Sequence, residues 1–314
     1  MRRRKKAKIG GVRGSKELTR RHIVARPRAP RIIHDPKDPN LEQHIMSLHR
    51  GRYAFSKQGQ KLRPFILTCD LRIDQFSKFV ESYLKIASSM LAPVVIMDDT
   101  TTSGDEQRRY HDLIIKLKPH VIISQPKYTL EEMSAWDDRS VNGKHITDNR
   151  KPNYYRVQMI MTKDFPEWAL EYSDGPIIFM EDDIEFSSQF GKAIKECSSF
   201  VQEGLADFIT LYSSREYSLN KRLKSYKFLQ PFNGYDYYGN LCVVFSRKVL
   251  ESLKKNKHKV RDVCPNCWDV RWGRYMHDKG FKMYVTRTRY VKHLAGLSAL
   301  EHFDKPGYQY NFQK

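Results

Sequence analysis

Apolar residues along this chain alternate between two spacings. Short unbroken runs of strand length fall at 63–70, 93–97, 121–124, 176–180, 208–212, 241–245 and 283–286. Such runs predict strands buried on both faces. Between them the spacing changes to the helical period. After Asp74, Phe76, Phe79, Val80, Tyr83, Leu84 and Ala87 recur on one side, with Asp74 as the predicted N-cap. Helices are also predicted at about 105–117, over 153–170, and near 188–203, 246–255 and 267–279. In the second of these Val157, Ile160, Met161, Phe165 and Trp168 share a side despite Pro166. Residues 125–150 are polar and irregular and predict a loop or flap over a site. Strands alternating with helices predict an α/β fold with a mostly parallel central sheet and helices on both faces. Ligands of such sheets bind at the carboxyl ends of the strands.

Carboxylates collect at those ends. Asp70 ends the first run, Asp98 and Asp99 follow the second, and Glu181, Asp182 and Asp183 follow the run at 176–180. Three adjacent acids at the end of a buried strand repel one another, and a low-dielectric neighbour penalises each charge. A divalent cation relieves this, and hard oxygen ligands select Mg2+ or Mn2+. The alternative is a solvated turn. Met180, Ile184 and Phe186 around the acids argue for a partly buried segment instead.

Composition narrows the class. The 314 residues are 40% hydrophobic and 12% aromatic, enough for a substantial core. No apolar stretch reaches membrane-spanning length, and no apolar segment follows the charged start as in a secretory signal. Five cysteines, an odd number lying mostly in apolar segments, fit a reducing compartment. The expected location is the cytoplasm, the host's if the protein is viral. Net charge is +20, and residues 1–31 hold thirteen Lys or Arg against one acid, Glu17. Residues 1–40 are expected to form a flexible basic arm, and residues 41–314 a single domain. Further basic runs lie at 221–227 and 254–261. This charge suits a polyanion such as duplex DNA or an anionic membrane surface, or else a solubilising tail.

The order of these features resembles a known family. It runs strand, helix, strand ending in Asp-Asp, helix, then an apolar strand ending in Glu181-Asp182-Asp183. Later come a strand after Tyr238-Gly239-Asn240, a helix start at Trp268-Asp269, and a strand end carrying His293. Over about residues 62–300 this resembles the GT-A fold of nucleotide-sugar glycosyltransferases. The acidic triplet resembles the DxD motif, with Glu in place of the first Asp. The resemblance implies Asp183 as direct ligand of Mn2+ or Mg2+ and Glu181 on a water of the metal or the ribose. Glu181 and Asp182 then belong to the donor site. It implies His293 as completing the metal shell, Lys292 beside the diphosphate, and Asp269 as the base of an inverting reaction. Asp98, Asp99 and Asp70 would meet the nucleoside, with Asn153 and Arg156 in reach of the nucleotide. Tyr235, Tyr237, Tyr238, Asn240 and Trp268 are the candidate acceptor-binding residues. Each role has a plainer alternative, such as a turn for Asp98–Asp99, a helix cap for Asp269, or packing for the tyrosines.

Other signals are weak. Cys264 and Cys267 have metal or redox spacing, but His258 and His277 do not complete a standard zinc set. No phosphate-binding GxxxxGK[ST] or dinucleotide-binding GxGxxG stretch occurs, and no internal repeat is visible. The leading expectation is a metal-dependent glycosyltransferase whose acceptor is a hydroxymethylated base in DNA, extruded from the duplex. A cell-surface glycan or lipid-linked acceptor is the alternative. A nucleic-acid-binding protein on an inactive GT-A scaffold is the second alternative. A nucleotidyltransferase would want a Gly-rich loop after Cys69, which is absent.

Overall fold

A computed structural model describes residues 31–33, 61–100, 103–142, 152–212, 217–239, 241–264 and 267–294. The strands are β1 (Arg31–Ile33), β2 (Arg63–Cys69), β3 (Val95–Asp99), β4 (Val121–Ser124), β5 (Ile177–Glu181), β6 (Ile184–Phe186), β7 (Phe208–Thr210), β8 (Leu229–Pro231), β9 (Cys242–Phe245), β10 (Met283–Thr286) and β11 (Val291–His293). The helices are α1 (Ile73–Ser82), α2 (Asp105–Lys116), α3 (Leu130–Asn142), α4 (Pro152–Met159), α5 (Phe165–Tyr172), α6 (Phe190–Gln202), α7 (Arg247–Lys255), α8 (Lys257–Asp262) and α9 (Trp268–Asp278).

Nine strands form one sheet in the order β1-β4-β3-β2-β5-β9-β7-β10-β8. The run from β1 to β5 is parallel throughout. β9 lies antiparallel between β5 and β7, and β8 runs antiparallel to β10 at the edge. The predicted α/β architecture with a mostly parallel sheet is therefore the observed one. β1 falls inside the stretch expected as a flexible arm and pairs with β4; the rest of residues 1–40 lie outside the described residues.

The unbroken apolar runs follow from burial on both faces of the sheet. In β5, Ile178 and Met180 join one core with Phe76, Phe79, Tyr110 and Ile194. Ile177 and Phe179 join the other with Phe165, Trp272 and Phe245. Alternate side chains thus feed opposite faces, each covered by helices. Among the described residues no helix is long and apolar enough to cross a membrane.

Two predictions are corrected and one is refined. Asp74 is not an N-cap: a 3-10 turn at Asp70–Arg72 follows β2 directly, so Asp74 falls in the first turn of α1 and is exposed. The helix expected over 153–170 is observed as one continuous helical run, α4 and α5 joined through a π-type turn at Ile160–Asp164. Pro166 follows that turn, in the first turn of α5. The segment 125–150 is not all loop, because α3 occupies part of it. Its start is a reciprocal capping box: the Thr129 hydroxyl accepts from the Glu132 amide at 3.2 Å, and the Glu132 carboxylate accepts from the Thr129 amide at 2.7 Å. A kink at Asp137 lets its carboxylate meet the buried Arg271 guanidinium at 2.6 Å, which docks α3 onto α9.

Candidate functional site

Strand register sets the candidates side by side. Thr68 and Cys69 lie opposite Asp98 and Asp99, and Leu67 lies opposite Glu181. Parallel pairing therefore puts Asp70, Asp98–Asp99 and Glu181–Asp183 in one row at the carboxyl ends of β2, β3 and β5. After Glu181 the chain turns at Asp182 and Asp183 and leaves the sheet as β6. There it pairs antiparallel with β11, His293 opposite Ile184. The Leu294 amide donates to the Asp183 carbonyl at 2.7 Å. This pairing holds the His293 imidazole beside the acids, with Nε2 3.1 Å from Asp183 Oδ2.

The repulsion among the acids is relieved in part by an arginine. Arg72, buried in the turn after β2, donates through Nη1 to Asp183 Oδ2 at 2.5 Å and pairs through Nη2 with Asp182. Asp182, fully buried, also accepts from the Cys69 amide at 3.1 Å. Asp183 Oδ1 is buried with no hydrogen-bond partner. Protonation preferences divide accordingly. Burial, then the Asp183 charge, pushes Glu181 up to about 8. Burial pushes Asp182 up to about 6 against the pull of Arg72. Burial acts upward on Asp183 too, but Arg72 and His293 outweigh it and hold Asp183 below the usual carboxylate value. Of the three acids, Asp183 is thus the one that gives up its proton most readily. A hard cation would find in Asp183 and His293 one free carboxylate oxygen and an imidazole. Among the described residues no three His, Cys, Asp or Glu side chains converge as a metal cage. The donor set fits an ion that takes most of its ligands from phosphate and water, as Mg2+ habitually does.

At the end of β3 the two aspartates differ. Asp98 is buried and accepts from the Tyr110 hydroxyl at 2.8 Å and from Thr100 Oγ1. Burial raises its carboxyl above the usual range, partly offset by those bonds. Asp99 is buried between the guanidinium of Arg156 and the ammonium of the half-exposed Lys127. The structure therefore joins Asp99 and Arg156, while Asp98 serves its own neighbours. Asp70 is buried at the start of the turn that carries Arg72. Asn153 lies in the first turn of α4.

Asp269 is the second residue of α9 and is partly buried. Its Oδ2 accepts from the Gly239 amide and its Oδ1 from the Val270 amide, each at 2.8 Å. Burial raises its carboxyl, and the amides partly oppose this. Gly239 has φ +79°, the left-handed region that favours glycine. Two residues on, the Leu241 carbonyl accepts from the Glu181 amide at 3.0 Å. The bonds at Gly239 and Leu241 therefore tie Asp269 to the acidic strand end, and the Tyr237 hydroxyl feels the charge of both Asp269 and Glu181.

The aromatic residues are placed otherwise than an acceptor platform requires. The Tyr237 ring is in the core against Phe208, Tyr217 and Phe232. Trp268 is buried edge-on against Phe179 and Trp272. The strongly apolar environment of both rings makes them packing residues. Tyr235 is exposed but binds Asp278 at 2.8 Å, at the opposite end of α9 from Asp269. Tyr238 is half-buried, its carbonyl accepting from the Tyr217 hydroxyl at 2.7 Å. Asn240 lies outside the described residues. Lys292 is exposed and 4.0 Å from Glu185, on the face of β11 opposite His293 as strand alternation dictates. Cys264 and Cys267 are unbridged, and the Cys264 carbonyl accepts from Arg271 Nε at 3.0 Å.

Sequence reasoning missed Arg72, Lys127 and Tyr110. A cation two residues after Asp70, at the end of a strand in an acid-lined row, is the signal that pointed to Arg72. Lys127 and Tyr110 have no comparable local mark.

No family model matches the sequence, and no curated protein matches it. Solved structures that superpose on it include core-mannan synthase A from Aspergillus fumigatus in an Mn/GDP form, at 9% identity over 83% of each chain with a TM-score of 0.49. GalNAc-T7 with UDP, GalNAc and Mn2+ superposes at 10% identity over 83% of this chain and 47% of that one, TM-score 0.46. The mannosyltransferase PcManGT from Pyrobaculum calidifontis, with GDP-Man and Mn2+, does so at 9% identity over 78% of this chain and 62% of that one, TM-score 0.41. This chain thus spans less than two thirds of the last two. Superposition at this level assigns no activity, so function rests on the site itself.

Proposed function

We propose that the chain is a metal-dependent glycosyltransferase of GT-A type, moving a sugar from a nucleotide-sugar donor to a hydroxyl acceptor. The observation that carries this reading is Asp183: buried, with Oδ1 unpartnered and His293 3.1 Å from Oδ2, and held below the usual carboxylate value by Arg72 and His293. Asp183 and His293 would hold Mn2+ or Mg2+. When bound, such an ion stabilises the charge that grows on a departing diphosphate.

The chain's own groups supply the rest. Asp99, held by Arg156 and Lys127, lines the strand end next to β2, where a nucleoside diphosphate would lie. Glu181, whose carboxyl burial and the Asp183 charge push up to about 8, stands at the same strand end, beside the donor. Asp269 receives the acceptor's proton. Each of its oxygens takes one backbone amide and keeps a further lone pair, and burial raises its basicity toward working pH. A carboxylate poised this way supports inversion at the anomeric carbon.

For the acceptor, the charge of +20 supports a hydroxyl borne on a polyanion, with a hydroxymethylated base in duplex DNA as the specific reading. The test supplies labelled UDP- and GDP-sugars with Mn2+ to hydroxymethylated duplex DNA and, separately, to lipid-linked glycan. Label in the DNA supports the reading. Label only in the glycan, or duplex binding that ignores salt, overturns the DNA acceptor and leaves the transferase standing.

A further inference from the structure

Arg72 plays no part in the reaction described above, yet it occupies the centre of the acidic cluster. Its guanidinium is buried, bonds Asp183 Oδ2 at 2.5 Å, and pairs with Asp182 on its other nitrogen. The turn Asp70–Arg72 brings it there from the neighbouring strand, and the Cys69 amide in that same connection bonds Asp182 at 3.1 Å. A planar fork of this kind holds two carboxylates in fixed orientation, which a point charge does not. It also leaves one oxygen, Asp183 Oδ1, unbonded.

We propose that Arg72 is the resident counter-cation of the site. It compensates Asp182 and Asp183 before any ion arrives, orients Asp183 with Oδ1 free, and by its own charge weakens the intrinsic affinity for a divalent cation. The inference rests on the metal-binding part of the proposed function. Two positive charges a few ångströms apart oppose each other, so the arginine and the ion compete for the same negative charge even where both fit. Arg72 is accordingly a positioning residue.

The sign of its effect distinguishes this role from a structural one. Loss of a merely structural arginine loosens the cluster and weakens metal binding. Loss of a competing charge strengthens it. Donor-free Mn2+ binding is measured from the free-ion magnetic resonance signal, alongside thermal unfolding, in the wild type and in Arg72→Met. The variant is expected to unfold at lower temperature without metal, to bind Mn2+ about tenfold more tightly, and to recover more of its midpoint on adding Mn2+ than the wild type gains. Arg72→Gln also removes the charge but can still donate to one carboxylate, so it is expected to fold and to gain affinity in the same direction; it decides the matter if Arg72→Met does not fold. Mn2+ binding that is equal to or weaker than wild type in the variant that folds overturns the role of Arg72 while sparing the metal site. No Mn2+ binding by any of the three overturns the metal site, and this inference with it.

Discussion

The Gly239 amide and the Asp269 carboxylate are joined by a hydrogen bond of 2.8 Å across thirty positions of sequence. It fixes the start of α9 to the segment that also bonds the Glu181 amide. Asp269→Asn keeps an acceptor oxygen for one amide and removes the base. Turnover with acceptor is expected to fall about 10²- to 10⁴-fold while donor KM and the unfolding midpoint change little. A variant with near-normal turnover removes Asp269 from the reaction.

The same helix approaches the turn at Gly234–Asp236 through two glycines. A Cβ on Gly273 would lie 2.5 Å from the Gly234 carbonyl oxygen and 2.6 Å from the Tyr237 Cβ. Backbone cannot yield as a flexible side chain does. Gly273→Ala is expected to destabilise by about 1–3 kcal/mol in chemical denaturation. Unchanged stability would mean that α9 packs less closely than this.

Asp98 gives a pH dependence whose sign is fixed. Burial holds its folded carboxyl above the ordinary 3.8 despite the bonds from Tyr110 and Thr100. The folded protein keeps this proton where the unfolded chain has released it. Its contribution is therefore complete below 3.8 and is lost as pH rises through the folded value. Asp98→Asn, which cannot ionise, is expected to gain stability relative to wild type between about pH 4 and pH 7. A relative stability that stays flat, or falls, over that interval contradicts the burial argument.

Thiol reactivity tests the packing. Cys69, Cys197, Cys242 and Cys264 are buried and Cys267 is partly exposed. Burial pushes the Cys69 thiol up to about 12 and raises Cys197 and Cys242 as well. Iodoacetamide on the native protein is expected to label Cys267 first, read by peptide mass mapping. Early labelling of Cys69 would contradict its place at the floor of the acidic row.

Much of the fold was legible because β2, β3 and β5 are buried on both faces, which leaves unbroken apolar runs that few other structures produce. The acids were legible for the same reason: Glu181, Asp182 and Asp183 stand against an apolar strand. What sequence could not reveal was long-range. Arg72 meets Asp182 and Asp183 across more than a hundred positions, and only the parallel register of β2 with β5 brings them together. Tyr237 and Trp268 look like a binding platform in sequence because aromatic rings serve cores and ligands alike. Their neighbours Phe208 and Phe179 decide for the core. The segment at α3 read as loop because its polar composition hid the Thr129–Glu132 capping box.

If Asp183 holds an ion against a donor diphosphate, donor turnover depends on both the ion and this carboxylate. Release of nucleoside diphosphate from UDP- and GDP-sugars is measured with and without Mn2+, in the wild type and in Asp183→Asn. Mn2+-dependent release is expected from at least one donor, lowered about 100-fold or more in the variant at an unchanged fold. Release that is indifferent to Mn2+, or equal in the two proteins, would contradict this role of Asp183.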